Sequence, residues 1–127
     1  MKRQINKTNM ENLQKIHIVS CSGASNTGDY ADKVARRLDE KGLANMVCMA
    51  KVAIADQPLI NKLRSQPDKK IVVLDGCAIN CAEKILGKEN ITNIIHINTT
   101  DFGIVKGKTP VMDEKINEIV EYIKNIA

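Results

Sequence analysis

Short runs of branched apolar residues alternate with longer amphipathic stretches along this chain. Four apolar runs predict β-strands, at residues 15–20, 43–49, 70–75 and 93–99. Four stretches with apolar residues on one helical face predict α-helices, at residues 26–41, 57–65, 78–87 and 113–126. Because parallel strands need crossover connections, this order predicts a single three-layer α/β/α domain with a parallel four-stranded sheet of flavodoxin-like order 2-1-3-4.

The predicted helix ends carry residues that suit those positions. Asn26 or Thr27 is suited to cap the first helix, and Gly42 is suited to end it. Pro58 falls in the first turn of the second helix, where its missing N–H leaves no helical hydrogen bond unmade.

The composition limits the classes of function that we expect. The 127 residues suit one compact domain that needs no disulfide for stability. Most of the net charge of +4 comes from the first fifteen residues, and three residues in the whole chain are aromatic. We therefore expect no nucleic-acid binding. We predict that residues 1–14 form a polar, basic N-terminal extension and that residues 15–127 form the α/β domain.

The beginning of the chain also bears on its location. No apolar core of a secretory signal follows the basic start, and no later run is long enough to cross a bilayer. We expect a cytoplasmic protein without a membrane partner. In a reducing compartment, cysteines more often serve metal or redox chemistry than structural disulfides.

Four cysteines fall at the predicted carboxyl ends of three strands. Cys21 follows the first strand, Cys48 ends the second, and Cys77 follows the third, with Cys81 four residues later. The carboxyl ends of parallel strands lie on one edge of a sheet, where ligands bind. Four thiolates suit tetrahedral Zn²⁺, so we predict that these cysteines bind one zinc ion and that residues 15–127 are a zinc-binding domain.

The spacing of the last two cysteines carries its own predictions. If the third helix begins near Cys77, then Cys77 and Cys81 share a helical face, at a separation too large for a disulfide. The first-turn amides of the helices after Cys21 and around Ala78 are expected to face the thiolates and to lower the cysteine pKa values.

Other uses of these thiols remain open from the residues alone. Cys21 is a candidate nucleophile of a thiol-dependent redox enzyme or sensor, with Cys77 or Cys81 as its resolving partner. An iron–sulfur cluster would need the same four ligands. Cys48, taken alone, suits a core position. A closed zinc shell leaves no site for an activated water, so we do not predict an enzyme. The sequence does not identify a protein partner.

Three motifs together resemble a known family. "CSGASNTGDYADKVARRL" follows the first strand, "DGCAINCAEK" follows the third, and "DFGIVKGK" follows the fourth. In combination with the cysteine in "ANMVCMA", they resemble the DGC-domain family of small proteins, from about residue 16 to the C-terminus. The resemblance implies a zinc site made by Cys21, Cys48, Cys77 and Cys81, and it implies no established reaction.

Several polar residues near these motifs receive ordinary roles. His17 and His96 lie in predicted strands, and we interpret both as core or surface residues rather than ligands. We expect Asp75 to cap the third helix. "CSGASNTG" lacks the arginine that a phosphatase loop needs six residues after its cysteine, and "GIVKGKT" departs from the Walker A spacing, so we predict ordinary loops there.

Overall fold

The fold rests on four parallel strands. In the computed structural model, which describes residues 15–22 and 24–127, the strands are β1 (Ile16–Ser20), β2 (Asn45–Val47), β3 (Lys70–Asp75) and β4 (Ile95–Asn98). They pair in the order β2-β1-β3-β4, and every pair is parallel. The predicted α/β class and sheet order are therefore confirmed. The predicted N-terminal extension, residues 1–14, lies outside the described residues.

Five α-helices and one 3-10 helix connect or follow these strands within the described part of the chain. They are α1 (Asn26–Glu40), α2 (Met49–Ala53), α3 (Gln57–Ser65), α4 (Cys81–Lys88), the 3-10 helix Thr99–Phe102 and α5 (Asp113–Ile126). Helices α3 and α5 have the predicted bounds. The N-cap of α1 is Ser25, whose hydroxyl accepts a hydrogen bond from the Gly28 amide, rather than Asn26 or Thr27. None of the helices described here is long and apolar enough to cross a membrane.

Each face of the sheet has its own hydrophobic core. One core packs β1 and β3 against α1 and α5, and the other packs the opposite face against α2, α3 and α4. Five consecutive residues of β3, Ile71 to Asp75, are buried, as expected for a central parallel strand covered on both faces. Each fully buried Ile or Leu side chain contributes roughly 1.5–3 kcal/mol to the stability of the folded chain. The two cores therefore stabilise the sheet and keep its carboxyl edge in place.

Two of the element boundaries that differ from prediction concern cysteines. Strand β2 ends at Val47, and Cys48 is the N-cap of α2, a five-residue helix too short for periodicity to reveal. Helix α4 begins at Cys81 instead of near residue 78, because Asn80 adopts the left-handed conformation, with φ 56°, and interrupts the helical path. Cys77 therefore lies in a turn before the helix.

Candidate functional site

Cys21 lies where β1 meets the end of β3. Its backbone amide donates to the Leu74 carbonyl at 2.8 Å, which continues the strand pairing beyond Ser20. Its sulfur accepts a hydrogen bond from the Gly76 amide, and its side chain is partly buried against the core beneath α1 and α5. Cys21 is thus fixed by backbone contacts to the Asp75-Gly76-Cys77 triplet.

The electrostatic surroundings of Cys21 differ from those predicted. Burial raises the pKa of its thiol above the ordinary value of 9.0, and the hydrogen bond from the Gly76 amide opposes that change. The neighbouring Cys81, Asp75 and Cys77 raise the pKa further through their negative charge. The prediction of a lowered pKa at Cys21 was wrong, because burial outweighs the hydrogen bond from the Gly76 amide.

Asp75 is the buried anchor of the α4 N-terminus. One carboxylate oxygen accepts from the Ala82 amide at 2.8 Å, and the other accepts from the Glu83 amide at 3.2 Å. The predicted capping role of Asp75 is confirmed. The expectation that first-turn amides of this helix face the thiolates is wrong for these two, because the Asp75 carboxylate already occupies them.

Gly76 packs directly on the first turn of α1. A Cβ atom at this position would lie 2.7 Å from the Gly28 nitrogen and 2.8 Å from the Thr27 carbonyl carbon, which is too close for any side chain. The buried Thr99 hydroxyl lies 3.0 Å from both the Thr27 and Gly76 carbonyl oxygens and joins the two segments. Glycine in the triplet is therefore required by packing.

The turn that carries Cys77 is held from β4. The Asn98 side-chain amide donates to the Cys77 carbonyl at 2.9 Å and to the Asn80 side-chain oxygen at 2.8 Å. Because Cys77 precedes α4, the predicted common helical face of Cys77 and Cys81 is wrong. What brings the two together is the turn that Asn98 fixes, together with Asp75 at the start of α4.

Cys48 occupies a more open position. By continuation of the β1–β2 register, it follows Val47 beside Ser20, so its backbone is next to the strand end that leads to Cys21. Its side chain is exposed, and it is not among the residues that perturb Cys21 in the described chain. It borders an open cavity of about 400 Å³, lined also by Arg36, Asp39, Glu40, Met46 and Val47. The core position that Cys48 would suit if taken alone is therefore not the one it occupies, and its predicted role as a zinc ligand stays a prediction.

The four cysteines do not form a ready coordination shell in this arrangement. Among residues 15–22 and 24–127, no group of three or more His, Cys, Asp or Glu side chains is placed to hold a metal ion. The donor chemistry nevertheless fits zinc, since soft thiols stand at the ends of three adjacent strands. Cys77 and Cys81 both raise the pKa of the Cys21 thiol, and Cys48 is not among the groups that do so.

Three residues near the cysteines were not predicted to belong to the site. The Lys106 ammonium lies 3.7 Å from the Cys77 sulfur. Asn98 holds the Cys77 turn, and His96 Nε2 lies 2.8 Å from an Asp75 carboxylate oxygen. Sheet order offered a signal for His96 and Asn98, because β4 is next to β3. The other histidine, His17, is buried 2.7 Å from the Gln66 side-chain oxygen, in agreement with the predicted core position.

Comparisons with known proteins give a family and a relative for this chain. The family model described as "DGC domain" matches residues 17–123. The Anaerobic and virulence modulator AnvM of Pseudomonas aeruginosa is 34% identical over 89 residues, which cover 70% of this chain and 66% of AnvM. The alignment thus spans slightly less than two thirds of that relative's length. No solved structure is significantly similar to the chain.

Proposed function

The chain belongs to the DGC-domain family, and we propose that it binds one Zn²⁺ through the thiolates of Cys21, Cys48, Cys77 and Cys81. The observation that carries this proposal is the grouping of three cysteines around the Asp75-Gly76-Cys77 triplet. Cys77 and Cys81 both act electrostatically on Cys21, although they lie 56 and 60 positions after it in sequence. Thiols gathered at the carboxyl edge of a parallel sheet are suited to hold a ligand there.

Zinc binding requires local movement of the cysteine side chains, and of Cys48 above all. The described side chains form no ready shell, and Cys48 makes no side-chain capping bond at the start of α2. Its side chain is exposed and free of core packing, so turning it toward Cys21 breaks few contacts. We therefore expect metal binding to reorganise the start of α2 and to turn the other cysteine side chains toward the ion, while the backbone of β1 and β3 stays in place.

The same site lacks the groups that metal-assisted hydrolysis needs. Four thiolates close a tetrahedral shell and leave no position for an activated water. The nearest histidine in the described chain, His96, is already hydrogen-bonded to Asp75, and its other ring nitrogen lies 3.6 Å from the Glu83 carboxylate. We propose a structural or regulatory role for the zinc ion in a cytoplasmic protein.

A second candidate function is thiol-based redox sensing. It is favoured by the separation of Cys48 from the other three cysteines, because a pair among Cys21, Cys77 and Cys81 is able to react without it. AnvM is named an anaerobic and virulence modulator, and a protein whose thiols respond to oxidation would suit that name. The two candidates differ in whether the isolated protein contains metal.

Elemental analysis of the freshly purified full chain tests the proposal. We expect about one zinc per chain, and we expect each of the four Cys→Ser variants to lose most of it because tetrahedral closure needs every donor. Ala78→Ser and Ala50→Ser are matched controls, since both replace exposed residues beside the cysteines. Both controls should retain zinc as the wild-type chain does.

Other outcomes separate the alternatives. One such outcome is a wild-type chain that is isolated without metal and forms a disulfide among Cys21, Cys77 and Cys81 after mild oxidation. That result would reject zinc binding in favour of the redox function. A brown protein containing iron would instead indicate an iron–sulfur cluster. Full zinc retention in Cys48→Ser would reduce the ligand set to three cysteines and remove Cys48 from the site.

A further inference from the structure

We infer that Lys106 is a positioning residue that stabilises the metal–thiolate centre through its fixed positive charge; this inference rests on the proposed zinc site. The Lys106 ammonium lies 3.7 Å from the Cys77 sulfur, within hydrogen-bonding range for sulfur. A lysine side chain carries three N–H donors and no acceptor, so it contacts the sulfur as a donor. Charged donors of this kind make the stronger hydrogen bonds.

The loop that carries Lys106 is pinned to α1 from both sides of the lysine. The Asn26 side-chain amide donates to the Val105 carbonyl at 3.0 Å and to the Thr109 carbonyl at 2.7 Å. Its oxygen accepts from the Gly107 amide at 2.7 Å. One asparagine therefore satisfies three backbone groups that flank Lys106, and the position of the Lys106 backbone is set by α1.

Further contacts fix the ends of this loop. The buried Tyr30 hydroxyl donates to the Pro110 carbonyl at 2.5 Å and accepts from the Met112 amide at 3.0 Å. Within the loop, the Val105 amide donates to the Thr109 hydroxyl at 2.7 Å. Since α1 starts only five residues after Cys21, the same helix that follows one cysteine places the lysine over another.

No carboxylate competes for Lys106 within residues 15–22 and 24–127: its one hydrogen-bonding contact there is the Cys77 sulfur. Asp29, the acidic residue in the first turn of α1, pairs with Lys33. Four thiolates and one Zn²⁺ carry a net charge of −2, so a cation held beside one sulfur stabilises the complex that forms.

Competition with a chromophoric chelator measures the zinc affinity of the full chain and tests this role. We expect Lys106→Met to weaken zinc binding by about tenfold. This is the lower end of the loss in affinity caused by removing a partner of a metal ligand, because Lys106 is exposed to solvent. Lys106→Arg keeps the charge and should stay within about threefold of wild type. Lys108→Met is the matched control, from the same exposed loop, and should leave the affinity within about twofold.

Two additional readouts separate this role from a general effect on structure. Raising the ionic strength should narrow the difference between Lys106→Met and wild type, because salt screens exposed charges. In the Co²⁺-loaded chain, removal of the donor should move the sulfur-to-cobalt charge-transfer band to longer wavelength, because the Cys77 sulfur becomes more electron-rich. Lys106→Arg and Lys108→Met should leave that band in place.

Several results would overturn the inference. Zinc affinity and a cobalt band unchanged in Lys106→Met would reject Lys106 while leaving the zinc site intact. An equal loss in Lys106→Met and Lys108→Met would show an effect of net charge alone and would also reject it. A wild-type chain that binds neither Zn²⁺ nor Co²⁺ would reject the proposed function, and the role of Lys106 with it.

Discussion

Cys21 and Cys48 follow adjacent strands of one sheet, yet their surroundings have little in common. Cys21 is partly buried, paired to β3 through its amide, and bonded at its sulfur by the Gly76 amide. Cys48 is exposed at the start of a five-residue helix and makes no side-chain capping bond. The central strands thus provide a fixed region of the candidate site, at Cys21 and at the Cys77 turn that leads to the exposed Cys81, and the edge strand provides an open region at Cys48.

The difference follows from the position of each strand in the sheet. Strand β3 lies between β1 and β4, so residues just beyond its end receive contacts from both neighbours: Cys21 from one side and Asn98 from the other. Strand β2 has only β1 beside it within the described sheet. The carboxyl end of β2 is therefore able to change its conformation. If a metal ion binds all four cysteines, we expect the open region to move toward the fixed region.

The largest effect should come from disturbing the fixed region at Gly76. In Gly76→Ala, the new Cβ would meet the backbone of Gly28 and Thr27 at less than 3.0 Å. Backbone cannot yield as a flexible side chain does, so we expect a loss of about 3 kcal/mol or more in the free energy of unfolding. Urea unfolding of the metal-free chain measures it.

Gly87→Ala is the matched control for that substitution. Gly87 lies inside α4, and a Cβ there would meet nothing within 4 Å. Alanine is the better helix former, so this change should stabilise the chain by up to about 1 kcal/mol. Equal urea midpoints for the two variants would contradict the packing role that we assign to Gly76.

The same contrast decides how much of the molecule could be predicted from the sequence. Strand β3 is a continuous apolar run and helix α5 has a clear helical periodicity, and the bounds of both agree with prediction. The left-handed Asn80 and the short helix after Cys48 left no such pattern. A single residue's backbone conformation and a five-residue helix depend on tertiary contacts, which periodicity does not contain.

The site was predictable as a place but not in its internal contacts. Parallel strand order brings Cys21, Cys77 and Cys81 to one edge, and that prediction needs no side-chain detail. Burial of the Cys21 sulfur depends on how α1 and α5 close over the sheet, which the sequence does not specify locally. The contact of Lys106 with Cys77 could not be predicted for a similar reason. The loop of Lys106 reaches Cys77 only because Asn26 and Tyr30 bind its backbone.

A smaller effect is expected in the open region when zinc is added. If Cys48 becomes the fourth ligand, the amides of Met49–Ala53 should exchange with solvent about tenfold more slowly, because the metal then fixes the start of α2. Amides in the middle of β3 should change little. Hydrogen–deuterium exchange with mass spectrometry of the metal-free and zinc-loaded chain measures both segments.

Cys48→Ser provides the comparison for that experiment. Zinc should give little protection to Met49–Ala53 in this variant, whatever metal the other three cysteines retain. If the wild-type chain binds zinc with no slowing at α2, Cys48 is not a ligand, and the open region takes no part in metal binding.

The smallest effect concerns the pH at which the Cys21 thiol reacts in the metal-free chain. Burial raises its pKa, so the alkylation midpoint should lie above the ordinary value of 9.0 and above that of the same residue in urea. The pKa of the Cys21 thiol is higher in the folded chain than in the unfolded chain. The contribution of this thiol to the free energy of unfolding is therefore present below the unfolded pKa and is lost as the pH rises through the folded pKa. Alkylation followed by peptide mass spectrometry measures the midpoint, which, unlike the rate, does not depend on access to the sulfur. A Cys21 midpoint below its value in urea would mean that the Gly76 amide outweighs burial, and that Cys21 is the reactive thiolate of a redox protein.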